Sequence, residues 1–143
     1  MSSPTPEFQV TLDCADPHAQ ARWWAHLLGY EVYDAHQFVT ELLESGALSA
    51  SDVVEVAGRR AFRDGAAAFD PAGTRPRLYF QLVPEVKTVK NRLHLDVRTQ
   101  TEDLEAEAER VASLGASFVE FNSQGAHRWA VMRDPEGNEF CLT

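Results

Sequence analysis

The sequence predicts an α+β fold in which one strand–helix–strands unit occurs twice. A Leu-Gly pair that ends a helix occurs at Leu28-Gly29 and again at Leu114-Gly115, 86 residues later. The strands before the two helices align at nearly the same offset, since Gln9 and His94 are 85 residues apart. We therefore expect a single domain over residues 1–143, with one module over about residues 7–85 and a second over about residues 90–143.

The composition is that of a globular protein, with 44% hydrophobic and 24% charged residues among 143. Thirteen basic residues against 22 acidic ones give a net charge of −9, which argues against nucleic acid and anionic membranes as partners. No apolar stretch approaches the roughly 20 residues of a membrane-spanning helix, and the first residues show no signal-peptide pattern. Because Cys14 and Cys141 provide no disulfide framework, we expect a cytoplasmic protein with reduced thiols.

The first module begins with alternating apolar and polar residues over 8–14, which predicts a half-buried strand. Asp16-Pro17 is a typical helix start, with an N-cap residue followed by proline at the first helical position. The helical spacing of Ala19, Trp23 and Leu27 predicts the buried face, and Trp24 is expected at an interface or a cleft rim. Residues 30–33 then predict a short strand.

The middle of the chain is less regular. Apolar residues at 38–43 predict a short helix that ends by Gly46, and residues 49–54 are compatible with the start of another. Residues 59–73 are interpreted as a strand pair or a lid-like loop. Residues 77–83 predict a strand that ends at Pro84.

The second module repeats the order of the first. Residues 92–97 predict a strand, and Thr99 with Glu102 resembles a capping box before a helix. The apolar stripe of that helix is Leu104, Ala108 and Val111. Strands are then predicted at 116–121, 128–133 and 139–143, with a turn at 134–138 between the last two.

The repeated pattern and the turn Asp134-Pro-Glu-Gly-Asn138 resemble the glyoxalase/bleomycin-resistance/extradiol-dioxygenase superfamily, whose members are also called vicinal oxygen chelate proteins. The segments Phe80-Gln-Leu-Val-Pro-Glu85 and Lys90-Asn-Arg-Leu-His-Leu-Asp96 look like its glyoxalase-like branch. The resemblance covers about residues 7–33 and 76–143. It implies two pseudo-symmetric βαβββ-type modules that form one curled, cleft-bearing mixed sheet, and a homodimer.

Carried over by position, the resemblance also implies the cleft residues. The metal-ligand positions of active members fall on Gln9, Gln81, His94 and Cys141, and Cys141 stands where those members usually carry glutamate. Two amides, one imidazole and one thiol are poor ligands for Mg²⁺, Mn²⁺ or Fe²⁺, so we expect no bound metal and no cofactor.

Side chains near these positions have alternative interpretations. His94 is the best candidate for a catalytic group, as a proton acceptor, a ligand contact or a metal ligand, and otherwise is a buried structural histidine. Trp129 is expected either to flank a ligand or to lie in the core. Arg92 and Asp96 share the face of His94 and are interpreted as a cross-strand pair or a clamp for an acidic substrate.

The function we expect first is binding of a small molecule in the cleft, for example sequestration of a hydrophobic metabolite or antibiotic. The site residues would be Gln9, Gln81, His94, Trp129 and Cys141. The alternatives are a metal-assisted lyase, isomerase or dioxygenase in which His94 is a ligand, a metal-free enzyme with His94 as general base, and an interaction or regulatory module.

Overall fold

The computed structural model describes residues 2–143, and the chain forms two compact units that meet in sequence at Pro84 and Glu85. Each unit has a four-stranded mixed sheet and at least one helix. The α+β class is therefore confirmed.

The first unit contains six strands and two helices, with a single 3₁₀ turn at Ala50–Asp52. Its elements are β1 (Val10–Cys14), α1 (Pro17–Leu28), β2 (Glu31–Val32), α2 (His36–Glu44), β3 (Val53–Val56), β4 (Arg59–Phe62), β5 (Gly65–Phe69) and β6 (Leu78–Leu82). The main sheet has the order β1-β6-β5-β2, in which only β1 and β6 are parallel. The strands β3 and β4 form a separate hairpin.

The second unit repeats this topology without the hairpin. Its elements are β7 (Asp96–Val97), α3 (Leu104–Ser113), β8 (Ser117–Gln124), β9 (His127–Arg133) and β10 (Glu139–Leu142). The sheet order is β7-β10-β9-β8, with β7 and β10 as the parallel pair. In both units the order is first, fourth, third and second sheet strand, so the predicted pseudo-symmetry holds at the level of topology.

Helix α1 starts and ends where the sequence predicts, but its buried face is shifted by one residue. The Asp16 carboxylate accepts a hydrogen bond from the Ala19 N–H at 3.0 Å, and Gly29 ends the helix with φ of 67° in the left-handed region. Trp24 is fully buried, whereas Trp23 is only half-buried and packs edge-on against it at 5.1 Å between ring centroids. The expectation of Trp23 in the core and Trp24 at a rim is wrong.

The middle segment contains more strand than the sequence indicates. Helix α2 is confirmed, but the expected second helix is only the 3₁₀ turn, after which Val53 starts a strand. Residues 59–73 contain β4 and β5, which belong to different sheets and do not pair with each other. The hairpin β3–β4 closes through Ala57 and Gly58, both with positive φ, at 49° and 77°.

The helix of the second unit begins later than the expected capping box. The Asp103 side chain is the N-cap and accepts from the Ala106 N–H at 3.0 Å, so Thr99 and Glu102 do not form the box. The predicted stripe of Leu104, Ala108 and Val111 is confirmed, since all three are buried. The predicted strand at 92–97 is shorter than expected, because only Asp96–Val97 pairs with β10.

Candidate functional site

One face of the second unit's sheet carries a cavity of about 510 Å³. Alternate residues of a strand point to the same side of a sheet. The lining follows this alternation on β8, β9 and β10 and continues onto β7 and the segment before it. Every lining residue belongs to the second unit, between Lys90 and Thr143.

Three potential donor side chains come together at the β7–β10 end of this cavity. One donor atom each from His94, Asp96 and Cys141 lies within 4.8 Å of the others. The His94 Nε2 is 3.3 Å from the Asp96 Oδ1, and the strand register places Asp96 directly opposite Cys141. Cys141 is buried, whereas the His94 and Asp96 side chains are 39% and 60% exposed, so solvent and ligands reach the two polar groups.

The Cys141 thiol is held in its protonated form. Burial is the largest cause that raises the pKa of Cys141, followed by the negative charge of Asp96 and a hydrogen bond to its carboxylate. The charge of Lys90 acts in the opposite direction but is the smallest of the effects. These surroundings disfavour a nucleophilic role for Cys141, because the thiolate is the nucleophilic form.

Aromatic side chains line the β9 part of the cavity. The Trp129 ring is half-buried and stacks on the His127 ring, with 5.4 Å between centroids and 30° between planes. Val131 follows two residues later on the same face of β9. This arrangement provides a flat apolar surface beside polar groups, as small-molecule sites commonly do.

The Glu139 carboxylate at the start of β10 is tied to the segment before β7. It accepts hydrogen bonds from the Lys87 ammonium at 3.1 Å and from the Asn91 N–H at 3.0 Å. Burial raises the pKa of Glu139. The two hydrogen bonds, a third from the residue's own N–H and the positive charge of Lys87 outweigh burial, and together they lower the pKa to about 2. Glu139 is therefore a structural anion.

The first-unit candidates Gln9 and Gln81 are exposed and do not line this cavity. The Gln9 Oε1 accepts a hydrogen bond from the Arg77 guanidinium at 2.9 Å. Gln81 lies opposite Asp13 in the β1–β6 register. Asp96 and Cys141 are paired in the same way across the parallel strands β7 and β10 of the second unit.

The structure brings His94 and Cys141 to one cavity together with Trp129, whose place in the core or beside a ligand the sequence left open, and Asp96 lines the cavity as well. The Asp96 carboxylate is next to His94, and within residues 2–143 it has no ion pair with Arg92. The sequence analysis did not identify the polar residues of β8 that line the cavity, among them Glu120 and Asn122. The alternation of polar residues over 120–124 was available as a signal.

Comparison with known proteins decides the family. Residues 9–143 match the profile of the glyoxalase-like domain family. The chain belongs to that family. A search of curated proteins gives no match to this glyoxalase-like domain.

Solved structures show the same fold at low sequence identity. A glyoxalase/bleomycin resistance protein/dioxygenase family enzyme from Burkholderia phytofirmans is 14% identical with a TM-score of 0.60, over 94% of each chain. The fosfomycin resistance protein FosX from Mesorhizobium loti is 14% identical with a TM-score of 0.62, over 98% of this chain and 91% of its own. A FosX variant from Listeria monocytogenes was solved with Mn(II) and a dihydroxypropylphosphonic acid. It is 12% identical with a TM-score of 0.60, over 98% of this chain and 90% of its own.

The donors of this glyoxalase-like domain do not match a hard cation such as Mn(II). His94, Asp96 and Cys141 offer one nitrogen, one carboxylate and one protonated sulfur, whereas hard cations favour several oxygen ligands. The trio is closer to the nitrogen, oxygen and sulfur donors that zinc accepts, and would hold zinc only with Cys141 deprotonated.

The helices of the chain were also compared with the length and hydropathy that a membrane span needs. Within residues 2–143, no helix is long and apolar enough to cross a membrane.

Proposed function

We propose that this glyoxalase-like domain binds a small organic molecule in the cavity of its second unit. The observation that carries the proposal is the cavity itself, about 510 Å³ in volume, with the Trp129–His127 stack beside polar side chains. This volume lies within the range of ordinary ligand pockets, about 300–1,000 Å³. Sequestration of a hydrophobic metabolite or antibiotic is the function we favour.

The comparisons are compatible with the binding of a small molecule. FosX is named for fosfomycin resistance, and one FosX structure holds a small phosphonic acid. Those proteins share only the fold with this chain, so the identity of the ligand has to come from the cavity's own residues.

The proposal is tested by native mass spectrometry of gently purified protein, together with binding of a fragment library followed by amide chemical shifts. We expect a co-purified molecule or fragment hits whose shifts fall on β9 and β10. The Trp129→Ala variant should lose this binding, because it removes one wall of the cavity. The Trp23→Ala variant, which removes a half-buried tryptophan from the first unit, should retain it. Fragments that bind both variants equally, or no binding at all, would overturn the proposal.

The proximity of His94, Asp96 and Cys141 favours metal-assisted catalysis as a second candidate function. A resident metal would polarise a substrate oxygen or acidify a bound water, and these three residues would hold it. His94 without a metal remains the candidate general base.

Metal analysis separates the two candidates. We expect less than about one tenth of an equivalent of metal in purified protein, and an unchanged melting temperature in EDTA, because three mixed donors with a protonated thiol bind weakly. Near-stoichiometric metal that is lost in the His94→Ala variant would favour catalysis over sequestration.

A further inference from the structure

We infer that the ligand of this cavity is an organic cation with an apolar body. This inference rests on the proposed function and specifies the chemical class of its ligand. It follows from a row of four residues that crosses the whole sheet. The strand register aligns Asp96, Cys141, Val131 and Glu120 as direct neighbours on β7, β10, β9 and β8.

The row has a carboxylate at each end and an apolar middle. Because neighbouring strands lie about 4.8 Å apart, its two ends are separated by about 14 Å along the sheet. Cys141 and Val131 form the floor between them, and Trp129 stands in the next row of β9. A ligand that lies along this row meets apolar surface at its centre and a carboxylate at either end.

Neither end carboxylate is neutralised by a lysine or an arginine. Asp96 is 3.3 Å from the His94 ring, and Glu120 accepts a hydrogen bond from the Asn122 amide at 3.1 Å. Across residues 2–143, no lysine or arginine nitrogen lies within 4 Å of either one. Three other carboxylates of the second unit do have such partners, since Glu105, Glu107 and Glu139 pair with Arg128, Arg110 and Lys87.

The net charge of the lining also favours a cation. Three carboxylates stand against the single ammonium of Lys90, which gives a formal charge of −2 with both histidines neutral, or −1 when the Lys87 partner of Glu139 is included. A cavity with low-dielectric walls concentrates this field and attracts ligands of opposite charge. A phosphonate such as the one in the FosX complex would place its anionic group against this field.

An ammonium beside Asp96 or Glu120 forms a charge-assisted hydrogen bond. The indole face of Trp129 attracts a cation as well as an apolar ring. An aromatic or aliphatic amine therefore satisfies both the end groups and the floor of the row.

Three naphthalene compounds of similar size, which carry one cationic, one neutral and one anionic substituent, test the inference, and isothermal titration measures their binding. At pH 7 these are 2-naphthylmethylamine as the cation, 2-naphthylmethanol as the neutral compound and 2-naphthoic acid as the anion. We expect the amine to bind at least about tenfold more tightly than the alcohol, and the acid to bind more weakly than either. The preference for the amine should decrease with added salt, because exposed charges are screened.

Charge-removing variants assign the preference to the row. Asp96→Asn and Glu120→Gln should each reduce the ratio of amine affinity to alcohol affinity several-fold. Glu55→Gln, which removes an exposed carboxylate from the hairpin of the first unit, should have no effect.

Equal binding of amine and alcohol, abolished by Trp129→Ala, would overturn the cation inference and leave the proposed function intact. An amine preference that survives in both variants would overturn it too, as would the absence of binding by all three probes. Native mass spectrometry tests the proposed function independently of these compounds.

Discussion

Glu139 connects a single residue to the acid stability of the second unit. Its folded pKa of about 2 is below the ordinary value of 4.5, so its contribution is fully present above about pH 4.5 and is lost as the pH falls toward 2. We therefore expect Glu139→Gln to lose less unfolding free energy than the wild type between pH 6 and pH 3. Urea unfolding at several pH values measures this slope.

The control for this prediction is Glu55→Gln, which removes an exposed carboxylate of the first unit. Its acid slope should match that of the wild type. If Glu139→Gln also shows the wild-type slope, the bonds from Lys87 and Asn91 do not stabilise the anion as described.

At the residue scale, the family resemblance placed His94 and Cys141 at cleft positions, and both line the cavity, whereas strand alternation left Trp129 open between the core and the cavity that it lines. Alternation could not predict the partner of Asp96, because His94 and Arg92 share its face and only the local path of the chain selects between them. Trp23 and Trp24 show a similar limit. When adjacent positions are both tryptophan, the helical period alone does not determine which one is buried.

At the element scale, the turn of the β3–β4 hairpin contains a residue, Ala57, in a backbone conformation that is unfavourable for its residue type. A two-residue turn with two positive φ angles is a type I′ arrangement, which favours Asn-Gly, yet the first position here is Ala57. An alanine in the left-handed region costs roughly 1 kcal/mol. We expect Ala57→Asn to raise the free energy of unfolding by about 0.5–1 kcal/mol in urea denaturation.

Ala57→Val is the matched opposite, because a β-branched side chain is worse than alanine at positive φ. It should lower the unfolding midpoint while Ala57→Asn raises it. Identical midpoints for the two variants would show that this turn does not contribute to the measured stability.

The elements themselves could be predicted to different extents. Helix α1 was predictable at both ends because Asp16 and Gly29 are strong local signals. The short extent of β7 could not be predicted, since residues 92–95 alternate well enough for a strand, but only the Leu95 carbonyl accepts a backbone hydrogen bond from β10, from the Cys141 N–H at 3.0 Å. Pairing is a property of the neighbouring strand and does not appear in a local pattern.

On the scale of the whole molecule, we expect a homodimer. The edge strand β8 exposes Phe118 and Phe121, whose ring centroids are 4.7 Å apart and whose residues are 45% and 38% exposed. Exposed aromatic pairs on an unpaired edge are typical of association surfaces, and two-fold pairing is the commonest closed assembly. Sedimentation equilibrium should give twice the mass of 15.9 kDa.

The double variant Phe118→Ser with Phe121→Ser should weaken this dimer, while Phe38→Ser on α2, which also removes an exposed ring, should not. A wild-type monomer at high micromolar concentration would contradict the prediction. A dimer that is insensitive to the β8 variant would place its interface elsewhere.

The two units share one strand order although their connections differ in length. The first copy holds a helix and a hairpin between its second and third sheet strands, where the second copy makes a turn of two residues between β8 and β9. The additional elements of the first unit therefore stand at a point that leaves its sheet order intact. The second unit has a short connection there and holds the cavity with the carboxylate-ended row. One sheet order is thus compatible with connections of very different length.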